Sequence, residues 1–410
     1  MRLKRPEGIQ VLKFIDHWVG SPICAILGLF HRLTHPFYRV TSRIELPKDP
    51  RAILVIKFFG LGSILLSSSL LKNIKTRYPD TKIIFLTFKN NAELVRRLGI
   101  SDEIRAVDVS GPFTTLYSVF NNLIYFSLHK PDISIDLEFF SKFGTMMSYL
   151  SGAKWRLGFY IAQFWRHSLV NVPVFFNYAR HILEIYRMFG SAIGVNGMDT
   201  APAAIPVKEE RDFIDTLFSE RGIIEEDLLM GVNVNASDLA YCRKYPIERF
   251  AEVINSLLKH NKELKVFLTG ALSEKKNTAS VFKFLEKDVK DRVFDLSGSL
   301  NLGQFLALLG RLNVFLTNDS GPFHLAKAQG IATVSIWGPG SPALYGPFDD
   351  EEKKNKVVYS RFPCSPCLYI YRTDAGYFCK GAAPCLNDIS SEKVAKAVQQ
   401  TIDEINKGGS

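Results

Sequence analysis

Short unbroken apolar runs alternate along the chain with longer stretches in which apolar positions recur at helical spacing. The runs predict strands over Ile53–Phe58, Lys82–Thr87, Glu103–Val107, Ile133–Leu137 and Arg156–Phe159. Between them the spacing predicts helices, among them Ser63–Arg77 and Ala92–Leu98. Thr200–Pro206 (TAPAAIP) reads as a linker. A second series follows, with strands over Leu229–Asn235, Lys265–Thr269, Val293–Leu296, Val314–Thr317 and Thr333–Trp337. Its helices fall at Ile247–His260, Leu302–Arg311 and Ser391–Ile405, the last with Val394, Val398 and Ile402 on one face. This alternation implies an α/β fold with parallel sheets covered on both faces. Ligands of such sheets bind beyond the carboxyl ends of the strands, so residues just after each strand are the ones to inspect.

The first 45 residues follow another pattern. Arg2, Lys4 and Arg5 precede an apolar run, Trp18–Phe30, broken at Gly20-Ser21-Pro22 and closed by His31-Arg32. The run is shorter than the roughly 20 residues that span a bilayer. It lies late for a signal peptide, carries Pro22 and lacks a clear small-residue cleavage site. An interfacial anchor with basic flanks fits better, the alternative being a helix packed on the protein's own surface. The expected division is therefore 1–45 as a membrane-associating segment, 46–205 as a first α/β domain and 206–410 as a second.

Composition narrows the partners. The 410 residues carry a net charge of +10. A basic excess suits nucleic acid, anionic membrane or phosphorylated substrates. No Lys/Arg-rich tail, zinc-finger or RNP-type motif is present, which disfavours nucleic acid. Four of the six cysteines lie together, Cys364-x2-Cys367 and then Cys379 and Cys385. Structural zinc, a disulfide and free thiols are all open for them.

The densest chemistry runs from Val314 to Pro342. A strand stops at Asn318-Asp319, Ser320-Gly321-Pro322 opens a helix, and a second strand ends at Gly338-Pro339-Gly340. Ser or Asp before Pro is a helix start, so free N–H groups point outward and form an anion site. Asp319 and His324 share that mouth. An ordinary βαβ turn with a capping Asp is the alternative.

Asp319-Ser320-Gly321-Pro322-Phe323-His324 resembles the D-[ST]-G-x-x-H signature of glycosyltransferase family 9, the heptosyltransferases. Gly338-Pro339-x-x-Pro342 and the cysteine cluster extend the likeness, which covers about residues 50–390. Arg243-Lys244-Tyr245-Pro246-Ile247-Glu248-Arg249-Phe250 is similar to the family's K-x-W-P-x-x-x-[FW], with Arg for Lys and Tyr for Trp. The resemblance implies a GT-B fold, two doubly wound Rossmann-like domains facing a central cleft. It implies donor contacts at Asn235, Ser237, Arg243, Glu274, Asp319, Ser320, Gly321 and His324. Arg243 would clamp the leaving diphosphate bidentately, and Glu274 would take the ribose hydroxyls.

Lys57-Phe58-Phe59-Gly60-Leu61-Gly62-Ser63 resembles the family's N-terminal S-x-G-D loop. The family's Asp, thought to deprotonate the acceptor, is Ser63 here. A serine hydroxyl is no base near neutral pH without a partner, and Ser63 reads better as a helix N-cap. Glu138, at the carboxyl end of the strand Ile133–Leu137 and beside Phe139 and Phe140, is the candidate replacement base. A strand-end carboxylate capping the next helix is the alternative.

The family thus implies an inverting transferase needing no cofactor. It would move heptose from ADP-heptose, a nucleotide-diphospho sugar, to a lipopolysaccharide-core glycolipid at the cytoplasmic face of a bacterial inner membrane. An anionic membrane surface would be a further partner. A GT-B transferase with another donor, or an inactive membrane-bound nucleotide-sugar-binding protein, are the rival readings.

Overall fold

A computed structural model describes residues 16, 18–34, 46–160, 168–197, 204–236, 242–348, 354–368, 379 and 383–408. The chain forms two compact units, Met1–Pro202 and Ala203–Ser410.

Unit 1 begins with helix α1 (Gly20–Thr34), followed by β1 (Ala52–Ile56), α2 (Leu61–Arg77), β2 (Lys82–Phe88), α3 (Ala92–Leu98) and β3 (Glu103–Val107). Then come α4 (Pro112–His129), β4 (Ile133–Asp136), α5 (Lys142–Leu150), β5 (Trp155–Phe159), β6 (Val172–Val174) and α6 (Ile182–Ala192). The strand order is β3-β2-β1-β4-β5-β6, and every pairing is parallel. Ile53 lies between Ile83 and Ile133, which puts the most apolar strand at the centre. All five residues of β1 are buried, as a strand covered on both faces requires. One sheet face packs Leu54, Ile56 and Leu86 against Phe126 of α4 and Met147 of α5. Elsewhere in unit 1, α2 packs on α6.

Helix α1 lies on α5. Cys24 and Leu27 meet Met146, Phe143 and Tyr149, and the His31 ring stands edge-on to Tyr149. Asp16 fastens this contact. Its carboxylate accepts from the Ser141 hydroxyl (3.0 Å) and from the backbone N–H groups of Lys142 (3.0 Å) and Phe143 (2.9 Å). Those are orphan donors of the α5 N-terminus, so a residue 126 positions earlier caps that helix. The opposite face of α1 is apolar and exposed at Ile26, Leu29, Phe30 and Leu33. One face of α1 is thus packed and the other bare; residues 1–15, 17 and 35–45 of the expected 1–45 segment lie outside the described residues. No helix among the described residues is long and apolar enough to cross a membrane.

Unit 2 repeats the topology. It comprises α7 (Lys208–Glu220), β7 (Leu228–Asn233), α8 (Ile247–His260), β8 (Leu264–Leu268), α9 (Lys275–Ala279), β9 (Val293–Asp295) and α10 (Leu302–Leu309). It continues with β10 (Val314–Asn318), α11 (Gly321–Ala328), β11 (Ala332–Trp337), α12 (Pro342–Tyr345), β12 (Asn355–Tyr359), α13 (Pro384–Asn387) and α14 (Ser391–Gly408). The order β12-β11-β10-β7-β8-β9 is that of unit 1 read from the other edge. Both are doubly wound Rossmann-type sheets with strand order 3-2-1-4-5-6. Two strands were not foreseen. β6 is three residues long with Pro173 inside, and β12 follows a charged stretch; both are edge strands, where such sequences are tolerated.

Candidate functional site

In unit 2 the strand order reverses between β7 and β10, which makes their carboxyl ends the natural ligand crevice. Asn318, the last residue of β10, is fully buried and ties that end together. Its amide donates to the carbonyls of Val234 (3.1 Å) and Asn235 (3.2 Å), and its Oδ1 accepts from the Tyr245 N–H (3.1 Å). Tyr245 is buried, and its hydroxyl donates to the Ile389 carbonyl (3.0 Å). The segment Arg243–Tyr245 is thereby held against the end of β10. Arg243 Nη1 comes to 3.4 Å from Asp319 Oδ1, with both side chains mostly buried. Burial raises the Asp319 carboxyl above the usual carboxylate range, and the Arg243 guanidinium pulls it part of the way back.

Gly340 lies against the same carboxylate: a Cβ there would collide with Asp319 Oδ2. His324 is buried in α11, its ring edge-on to Phe323 and Tyr345. Ser320 occupies the N-cap position of α11, but its hydroxyl pairs with Thr317 Oγ1 (3.1 Å) and makes no cap bond. Gly321 is the first residue of that helix. The crevice therefore combines a guanidinium, a buried carboxyl, an imidazole and a helix N-terminus, a set suited to a phosphorylated ligand.

The other expected donor contacts are more occupied. Asn235 is buried, and its amide donates to Thr278 Oγ1 (3.1 Å), bracing the loop after β7 against α9. Glu274 accepts from the N–H of Ala271 (2.9 Å), the N-cap residue of a short helical turn. Ser237 lies outside the described residues.

In unit 1 the reversal falls between β1 and β4. Glu138, just beyond β4, is completely buried. Its Oε1 accepts from Lys57 Nζ (3.0 Å) and from the N–H groups of Phe58 (2.6 Å) and Phe59 (2.9 Å). Asp136 Oδ1 in turn accepts from the Glu138 N–H (3.0 Å). The carboxylate therefore grips the loop leading to Gly60. Gly60 adopts φ +83, a conformation that favours glycine, and is the N-cap of α2. Ser63 is then not the cap expected from the sequence. It is the third residue of α2, after Leu61 and Gly62, because the left-handed Gly60 starts the helix earlier.

A family model described as glycosyltransferase family 9 (heptosyltransferase) matches residues 163–376. The chain belongs to glycosyltransferase family 9. Lipooligosaccharide heptosyltransferase 2 of Campylobacter jejuni is 25% identical over 173 residues, 42% of this chain and 51% of that one. The chain thus spans about half the length of that relative. The family 9 glycosyl transferase of Veillonella parvula superposes with a TM-score of 0.69 at 21% identity, covering 87% of this chain and 98% of that one. The ADP-heptose lps heptosyltransferase II of E. coli gives 0.67 at 19% identity, covering 88% and 100%. The shared fold is GT-B.

The cysteine cluster of this family 9 chain also gathers Cys242. Burial pushes the Cys367 and Cys385 thiols up to about 11, and neighbouring thiols push the same way: Cys364 and Cys379 for both, with Cys242 beside Cys367. None of the six cysteines forms a disulfide. Among the described residues no group of three or more His, Cys, Asp or Glu is arranged to hold a metal ion. Sequence reasoning missed Asn318 and Gly340. The Asn-Asp pair at a strand end was a visible cue for the first, and the second showed only as part of a Gly-Pro-Gly turn.

Proposed function

We propose that the chain transfers a sugar, most specifically heptose from ADP-heptose, to a lipopolysaccharide-core or related glycolipid, with inversion and at the cytoplasmic face of the inner membrane. The observation that carries this is the Arg243–Asp319 pair beside His324 and the α11 N-terminus, at the β7/β10 reversal. It is supported by the family, and by the likeness to the C. jejuni and E. coli heptosyltransferases. In the proposed single displacement the acceptor hydroxyl oxygen attacks the anomeric carbon as the bond to the diphosphate breaks, and the hydroxyl proton passes to solvent. Negative charge builds on the leaving diphosphate, where Arg243 and the α11 N–H groups meet it. Asp319 orients Arg243 and the donor. Asn235 and, by analogy, Ser237 shape the phosphate loop, and Glu274 faces the ribose.

Glu138 takes a positioning role in this reading. A fully buried carboxylate with one oxygen engaged by three donors is poorly placed to receive a proton, but it fixes the Lys57–Gly60 loop.

The test is thermal stabilisation by ADP, UDP, GDP and CMP and their sugars, because a ligand of the native state raises the melting temperature. Selective stabilisation by ADP-heptose, lost in Arg243→Ala, is the expected result; selectivity for another nucleotide would move the donor, and no response to any would sink the donor site. Ser63, in place of the family's Asp, favours a second reading as an inactive nucleotide-sugar-binding protein. Donor binding without turnover on a purified core-glycolipid acceptor would select it.

A further inference from the structure

Helix α4 is an anomaly for a helix at a protein surface. Its 18 residues, PFTTLYSVFNNLIYFSLH, contain no Asp, Glu, Lys or Arg. The inner face is accounted for: Phe126, Leu123 and Val119 join the core of unit 1, and Asn122 donates to the Ala106 carbonyl (2.9 Å). The outer face carries Phe113, Leu116, Tyr117, Phe120, Ile124 and Leu128, between 43% and 86% exposed. Their spacing draws one apolar stripe along the whole helix, about 27 Å at 1.5 Å per residue. A stripe of this kind marks an interaction surface.

The stripe has company. Helices α4 and α5 cover the same face of the unit 1 sheet, and Phe143 of α5 touches both the core beneath α4 and the cluster that seats α1. The bare face of α1, with Ile26, Leu29 and Leu33, therefore belongs to the same side of the unit. Like α4, α1 holds no acidic residue. Basic groups close both helices, Arg32 in the last turn of α1 and Lys130 directly after α4.

Charge identifies the occupant. Residues 1–202 hold 25 Lys and Arg against 14 Asp and Glu, a net +11, whereas residues 203–410 hold 26 against 27. The whole positive excess of the chain sits in the unit that bears both apolar faces. A second copy of this unit would bring like charge against like; an anionic leaflet brings the opposite charge and an apolar interior behind it.

We propose that α4 and α1 together form the bilayer-contacting surface of unit 1. Phe113, Leu116, Tyr117, Phe120, Ile124 and Leu128 enter the interface between headgroups and acyl chains. Arg32 and Lys130 meet anionic headgroups. The proposal rests on the glycolipid-acceptor reading above and supplies what that reading lacks, the element that brings unit 1 to the lipid.

The test is co-sedimentation with vesicles of phosphatidylethanolamine and phosphatidylglycerol, compared with phosphatidylcholine alone, with neither donor nor acceptor present. The wild-type chain pellets with the anionic vesicles. The double variants Leu116→Lys/Phe120→Lys and Leu29→Lys/Leu33→Lys each weaken binding by about tenfold or more. Leu272→Lys, at an exposed position of unit 2, leaves it unchanged. Arg243→Ala also leaves it unchanged, so loss of the donor site and loss of the lipid surface are read separately. A wild-type chain that stays in the supernatant, or an α4 variant that pellets like wild type, overturns the proposal. So does an α4 variant that turns a lipid-free dimer into a monomer, since the stripe would then be a protein interface. Should the charged variants fail to fold, Tyr117→Trp gives a second readout: brominated acyl chains quench the added indole, and absence of added quenching overturns the assignment.

Discussion

Glu138 shows how much a single carboxylate can be asked to hold. Its Oε1 gathers an ammonium and two backbone N–H groups from the first loop of unit 1. Glu138→Gln leaves Lys57, only 5% exposed, without its counter-charge. Breaking a buried pair from one side costs about 3–5 kcal/mol, so urea unfolding of unit 1 shifts to lower denaturant. As a positioning residue, Glu138 governs the rate without setting its pH dependence. The variant therefore keeps the wild-type pH profile of kcat at a reduced level. Disappearance of an acid limb in that profile would instead make Glu138 the proton acceptor. The sequence showed this residue to be at a strand end beside the crevice, but the three donors come from the loop after β1, about 80 positions away, and no local pattern encodes them. Arg243 and Asp319 were legible as types in known motifs. Their meeting was not, because it is arranged by Asn318, whose three hydrogen bonds reach two other segments.

Among the elements, strands read from apolar runs were the surest, since a buried parallel strand leaves few polar positions to mislead. Helix starts were less so. The α2 start depends on the left-handed backbone of Gly60, and the α5 start is closed by Asp16 from far away in sequence. Ser141, the N-cap of α5, makes no cap bond with its own side chain. Asp16→Ala should therefore release two backbone donors of α5 and loosen α1 from its seat. Losing such a cap costs about 1–2 kcal/mol, which accelerates amide hydrogen exchange in α1 by about tenfold. Exchange in α1 at the wild-type rate would show that the apolar contacts with Met146 and Phe143 hold the helix unaided.

Across the molecule, one topology is used twice with different charge and chemistry. Unit 2 keeps several acids of high pKa protonated: burial raises Tyr245 from 10 to about 12, and Cys367 and Cys385 from 9 to about 11. The folded unit then retains protons that the unfolded chain releases. Stability from these groups is complete below about pH 9 and is lost as pH rises through 11 and 12. The melting temperature should fall steadily over that range, and less so in Cys385→Ala; a flat profile above pH 9 would contradict the burial of these groups. The doubling itself was visible as two strand–helix series about a linker. The charge difference between units was equally available from the sequence, once the boundary at Pro202 was known.

The reach of Asp16 has a consequence in time. Synthesis runs from the N-terminus at about 5–20 residues per second, and Lys142 follows Asp16 by 126 positions. Asp16 and helix α1 are therefore translated several seconds before α5, the helix that Asp16 caps and on which α1 sits. During that interval both faces of α1 are bare, because the α5 surface that covers Cys24 and Leu27 has yet to be made.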